Sequence, residues 1–221
     1  HLVCQKNVMK STMPDDLKGR CHQCRKPNPT TEKESLQRLR EWVDKDEAWA
    51  QTMMAQWYRD GKRGLKQSYV MAAMLYEKAV AQGYPDAMYD LALLYEDGQG
   101  VVQSFTKAAE LYTMPAEKGH ASAMTSYVNL GLLYRDGQGV VQSFEKAAEL
   151  FTMAAEQGQV DAMCNLAVLY IKGDGVAQSN ELAREWWNKS ANEGHEGAIT
   201  NLKRLDELES KSTTTTAPTT T

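Results

Sequence analysis

The chain has 221 residues, 42% of them hydrophobic, and a formal charge of −4 from 25 Lys and Arg against 29 Asp and Glu. An acidic surplus argues against nucleic acid as a partner. No apolar run approaches the roughly 18 residues of a membrane helix, because Lys, Glu or Asp interrupts every few positions, so no membrane partner is expected and the chain reads as soluble.

Residues 1–31 hold three of the four cysteines: Cys4, Cys21 and Cys24. The chain begins at His1 and not Met, which reads as a fragment or a processed product. Cys21-His22-Gln23-Cys24 supplies two zinc ligands from one turn, and zinc wants four in a tetrahedron. This pair, followed by Arg25-Lys26-Pro27, resembles the last ligand pair of a RING finger, with His1 and Cys4 as an earlier His and Cys. Asn7 stands where a further Cys would be expected, so the segment reads as a truncated or degenerate finger, the alternative being an inert exposed loop. The resemblance implies zinc as a cofactor only if an intact RING lies upstream. No tight stoichiometric zinc, and no other cofactor, is expected in residues 1–221.

A leading helix is predicted over residues 32–45, where Leu36, Leu39 and Val43 fall at helical spacing. Residues 46–209 are then dominated by an internal repeat. Asp97-Gly98-Gln99-Gly100-Val101-Val102-Gln103-Ser104-Phe105 recurs at 136–144, in weaker form at 173–179, and one residue longer at 60–68. Ser68, Ser104, Ser143 and Ser179 are spaced 36, 39 and 36 residues apart, which gives a 36-residue unit with three extra residues in one copy.

Each unit reads as two helices. The serines are good N-caps for the second helix, because a hydroxyl can accept from an otherwise orphaned backbone N–H. Gly83, Gly119, Gly158 and Gly194, each 15 residues after its Ser, close it. The predicted inward stripes are Ala72, Tyr76 and Ala79, then Ala147, Phe151 and Ala154, then Ala183, Trp187 and Ser190. The first helix carries Ala50, Met54, Ala55 and Tyr58, then Ala87, Leu91, Ala92 and Tyr95, then Ala162, Leu166, Ala167 and Tyr170. Small residues alternating with large ones allow close approach. A capping helix is predicted over Ala198 to Glu209. Residues 210–221, nearly all Thr at the end, are too polar for a core and are expected to be disordered.

These motifs (Tyr-x-x-Gly-x-Gly-Val, Lys-Ala-Ala-Glu-Leu-Tyr/Phe, Ala-Ala-Glu-x-Gly and Ala-Met-x-x-Leu, in order) resemble the Sel-one-like repeat family, relatives of the tetratricopeptide repeats. The resemblance implies an all-α, right-handed α/α superhelical solenoid. It also implies a non-catalytic scaffold or adaptor that binds protein or peptide partners. The alternative is a RING-type ubiquitin-ligase-like protein whose finger recruits a ubiquitin-conjugating enzyme while the repeats hold the substrate. Two departures stand out. Pro115 replaces the Ala of other copies late in a second helix, which should kink or end it, at about 3 kcal/mol if the helix ran on unchanged. The three-residue insertion near Thr125-Ser126-Tyr127 should add one turn or a longer loop before Asn129, leaving Leu130, Gly131 and Tyr134 in register.

The Gly-x-Gly segments join two helices and lack the βαβ setting of a phosphate loop, so they read as turns. Cys164 reads as a half-buried structural thiol, and an array without paired cysteines suits a reducing, intracellular and specifically cytoplasmic setting. His120 and His195 read as turn residues, and Lys62, Arg63 and Lys66 as a solvated basic loop. Ser143-Phe144-Glu145-Lys146 matches a Ser-x-x-Lys pattern but begins a helix, so hydrolysis is not expected. Asp90, Asn129, Asn165 and Asn201 form a polar column, one per first helix, on the side expected to be concave. They either bind the backbone of an extended peptide or hydrogen-bond to neighbouring repeats, and the second role is favoured.

Overall fold

The structure, a computed structural model, describes residues 31–116 and 121–214. Among them are ten helices and no strand. A leading helix, α1 (Glu32–Val43), is followed by four pairs: α2 (Ala48–Asp60) with α3 (Tyr69–Ala81), α4 (Pro85–Asp97) with α5 (Phe105–Ala116), α6 (Ala121–Asp136) with α7 (Phe144–Glu156), and α8 (Val160–Lys172) with α9 (Asn180–Asn192). The last helix, α10 (Glu196–Thr214), begins before Ala198 and continues past Glu209 into the Thr-rich segment. Each helix packs on its chain neighbours, and α4 also touches α6, so the array is an α/α solenoid.

The turn chemistry repeats with the sequence. Ser68, Ser104, Ser143 and Ser179 each accept from the backbone N–H three residues on, at 3.2–3.3 Å. The preceding glutamine has a role that the sequence reading missed. Gln67, Gln103, Gln142 and Gln178 each donate their side-chain amide to a first-helix carbonyl, that of Arg59, Glu96, Arg135 and Ile171, at 2.8–2.9 Å. The backbone N–H of each Ser donates to the carbonyl of Tyr58, Tyr95, Tyr134 or Tyr170. Two orphan carbonyls at the end of each first helix are thereby satisfied by one Gln-Ser pair.

The two glycines of the turn do different work. The first, as at Gly98 and Gly137, caps the first helix in the left-handed conformation. The second sits against the previous repeat. A Cβ at Gly100, Gly139 or Gly175 would lie 2.2–2.3 Å from backbone at the start of α3, α5 or α7. Thr106 Oγ1 donates to the Gly139 carbonyl across the same contact, at 3.1 Å. The second glycine of each Gly-x-Gly turn is thus a spacer between repeats.

The predicted stripes form the core. Ala50, Ala87, Ser126, Ala162 and Ala198 are fully buried at equivalent places, as are Ala72, Ala108, Ala147 and Ala183. Tyr76, Tyr112, Phe151 and Trp187 fill the space between the small residues. The first-helix tyrosines are only half-buried. Tyr95 and Tyr134 lie under Lys107 and Lys146, with each ammonium 4.9 Å from the ring centre. The insertion appears as an added turn at the start of α6, which has 16 residues against 13 in α2, α4 and α8. Leu130 stays buried at 5% exposure, in register. Pro115 lies within α5, which is described as far as Ala116.

Candidate functional site: the first-helix face

The polar column lies where helix pairs meet, and its members have different fates. Asp90 is buried at 7% exposure. It accepts from Arg59 and from Gln56, both in α2, at 2.9 Å each. Burial opposes the charge on Arg59, but Asp60 and Asp90 more than offset it and its pKa lies above the ordinary range. Asp60 in turn is held below the usual carboxylate range, first by Lys62 and then by Arg59.

At the next interface the chemistry changes. Glu96 of α4 stands where Arg59 stands in α2, and Tyr112 of α5 donates to its carboxylate at 2.8 Å. Asn129 of α6 then donates to the Tyr112 hydroxyl at 3.1 Å. Burial, and then the Glu96 charge, push the Tyr112 hydroxyl well above the usual tyrosine range. At the third interface Arg135 of α6 donates to Asn165 Oδ1 of α8 at 3.3 Å, while Asn165 Nδ2 donates to the Asp161 carbonyl at 2.9 Å. At the fourth, Ile171 occupies the equivalent place and offers no polar group. Asn201 there makes no side-chain hydrogen bond among the described residues and lines a cleft with Ile171, Trp187 and Arg204. Asp90, Asn129 and Asn165 are therefore engaged with neighbouring helices, and Asn201 is not.

Beside this column runs a partly buried apolar line, Leu93, Leu132 and Val168, at equivalent places in α4, α6 and α8, while α2 carries Gln56 there. Other candidates are accounted for locally. Cys164 is a free, half-buried thiol whose pKa burial raises, an unpromising nucleophile. The Ser143 hydroxyl serves the start of α7, capping Lys146 N–H and donating to Glu145. His195 Nδ1 accepts from Ala198 N–H at 3.0 Å and so caps α10. The basic loop is more engaged than its sequence implied. Lys62 pairs with Asp60 at 2.6 Å, and Arg63 reaches Glu32 at 3.4 Å and stacks over Trp57. His1, Cys4, Cys21, Cys24 and His120 lie outside the described residues. Within the described residues, no three His, Cys, Asp or Glu side chains gather to hold a metal ion, and no helix is long and apolar enough to cross a membrane.

Comparison with known proteins agrees with this geometry. The Sel1 repeat model matches residues 50–84, 85–120, 125–159 and 160–195. No curated protein matches the chain in sequence. Among solved structures, a protective antigen of uropathogenic Escherichia coli strains displaying an SLR fold superposes with a TM-score of 0.76 at 26% identity, over 81% of this chain and 38% of its own. A Sel1 repeat protein from Oxalobacter formigenes superposes with a TM-score of 0.70 at 26% identity, over 77% of this chain and 68% of its own. This chain thus spans well under half the length of the antigen. Four consecutive matched repeats cover more than half of the 221 residues, and the chain belongs to the Sel1 repeat family, whose arrays are protein-interaction scaffolds.

Proposed function

We propose that this array is a non-catalytic scaffold that holds a partner protein along its first-helix face. The observation that carries the reading is the partly exposed apolar line Leu93, Leu132 and Val168, at one place in three successive repeats. Such a line offers contact area to an extended or helical segment, and affinity accumulates over several repeats. The polar column beside it supports the platform. Asp90, Asn129 and Asn165 spend their hydrogen bonds on neighbouring helices, so they contribute rigidity more than recognition. Nothing among the described residues favours the ligase-type alternative, which rests on the sequence around Cys21 and Cys24.

The test compares faces. Leu93→Glu, Leu132→Glu and Val168→Glu are made together and compared with Met74→Glu plus Val102→Glu, two exposed apolar positions outside the first helices (51% and 88% exposed). Partners cross-linked to the parent chain should be lost from the first variant and kept by the second, with both melting as cooperatively as the parent. Loss from the second alone would move the site off the first-helix face.

A further inference from the structure

The C-terminal end of the first-helix face differs chemically from the rest. Between α8 and α10 lies a cleft of about 300 Å³, at the small end of ligand-sized pockets. Its walls are apolar: Val168 and Ile171 from α8, Trp187 from α9, and Leu205 and Leu208 from α10. Leu208 is 58% exposed although it sits on a folded helix. The polar groups at the cleft are Lys172, Asn201 and Arg204. At the other end of the array Arg59 and Asp90 neutralise each other. Here no carboxylate is within ion-pair distance of Lys172 or Arg204 among the described residues, although the nearby Arg184 takes both Asp206 and Glu209. Asn201 is likewise unspent, because Ile171 replaces the arginine that engages its counterpart Asn165.

We propose that this cleft binds a peptide segment of a partner protein in which a bulky apolar side chain lies next to a carboxylate. The apolar side chain enters between Ile171, Trp187 and Leu208. The carboxylate meets Arg204 and Lys172, and the Asn201 amide bonds to the peptide backbone. Two unpaired cations beside an apolar wall select for an acidic segment and against a basic one, since a like charge there would stay unneutralised. The cleft is too small for a folded domain and has no acidic group for a cationic ligand. This assignment rests on the scaffold reading and gives it a partner chemistry.

The experiment uses the full chain and three capped hexapeptides: Ac-Gly-Ser-Glu-Leu-Ser-Gly-NH2, the same with Gln for Glu, and the same with Ser for Leu. Binding is followed by calorimetry and by the Trp187 indole N–H resonance, assigned through Trp187→Phe. The Glu-Leu peptide should bind and move that resonance, and each of the other two should bind at least tenfold more weakly. Arg204→Glu and Lys172→Glu are surface changes and should each weaken the Glu-Leu peptide at least tenfold, with unchanged melting. Equal binding of the Glu and Gln peptides, or binding indifferent to Arg204→Glu, overturns the proposal, as does no binding at millimolar peptide. Partner capture separates this failure from that of the scaffold. Capture lost with the Leu93, Leu132 and Val168 changes but untouched by Arg204→Glu sinks the cleft and leaves the scaffold standing. Capture indifferent to both sinks both.

Discussion

Gly139→Ala and Gly64→Ala form a matched pair that isolates the contact between repeats. Both glycines follow a first helix at positive φ, 70° and 76°. An L-residue in that region costs roughly 1–2 kcal/mol, so the local strain is common to both. Their surroundings differ. A Cβ at Gly64 meets nothing within 4 Å, whereas one at Gly139 falls 2.3 Å from Phe105 C and Thr106 N. Carbon atoms are comfortable at about 3.5–4.0 Å, so the start of α5 must retreat by more than ~1 Å. The obstructing atoms are backbone, which cannot swing aside as a flexible side chain would, and the retreat also strains the Thr106 bond to the Gly139 carbonyl. Overpacking of this kind costs about 1–3 kcal/mol. Gly64→Ala should therefore lose ~1–2 kcal/mol and Gly139→Ala ~2–5 kcal/mol. Urea unfolding followed by far-UV circular dichroism measures both. Stability in a repeat array is a sum of unit and interface contributions, so weakening the central interface should also broaden the transition and lower the m-value. Equal losses with equal m-values would refute the spacer role.

Asp90→Ala should cost about 2–3 kcal/mol, because it leaves Gln56 Nε2 and Arg59 Nη1 without their shared acceptor while Arg59 Nε keeps Asp60, and a double-mutant cycle with Arg59→Leu should return a coupling of at least ~1 kcal/mol. Asp60 and Asp136 are both held below the usual carboxylate range, Asp60 by Lys62 and then Arg59, Asp136 by Arg135. A depressed folded pKa adds stability above the unfolded value near ~3.9 and loses it as pH falls through the folded one. The melting temperature should therefore drop as pH is lowered from about 5 to 2, and Asp60→Asn with Asp136→Asn should flatten that limb. Pro115→Ala restores a backbone N–H in the last turn of α5 and should raise the melting temperature, by about 1–3 kcal/mol of added stability in denaturant titration.

The fold was legible because its determinants are local and repeat. A Ser cap, a positive-φ glycine and an Ala-x-x-x-aromatic stripe each act within one helix or turn, and four copies in register leave little room for another fold. The three-residue insertion could be placed for the same reason, since Leu130 and Tyr134 had to keep facing the core. What escaped sequence reading was pairwise. The Gln of the Gln-Ser pair bonds a carbonyl seven or eight residues back, and the second turn glycine is dictated by a backbone more than 30 residues away. Neither partner is marked in sequence, because a carbonyl belongs to every residue. The basic loop has one partner of this kind: Glu32 reaches Arg63 only once α1 and α2 are packed, whereas Asp60 meets Lys62 locally, two residues away.

The polar column shows most clearly where repetition stops being informative. Asn129, Asn165 and Asn201 look alike in sequence, yet one donates to a tyrosine hydroxyl, one accepts from an arginine, and one is left with an apolar neighbour. The difference comes from the residue facing each of them: Glu96 with Tyr112, Arg135, or Ile171. Different pairings at successive interfaces make a slipped stacking costly, because a shift by one repeat would bring Arg59 against Asn129 and leave the buried Asp90 carboxylate without its cation. A periodic ladder is thus well suited to holding the array in register and poorly suited to choosing a partner, since its hydrogen bonds are already made. Selectivity belongs where the pattern breaks. Ile171 ends the ladder and leaves the Asn201 amide unengaged, and that amide, with Lys172 and Arg204 beside it, is the set of groups still available for recognition.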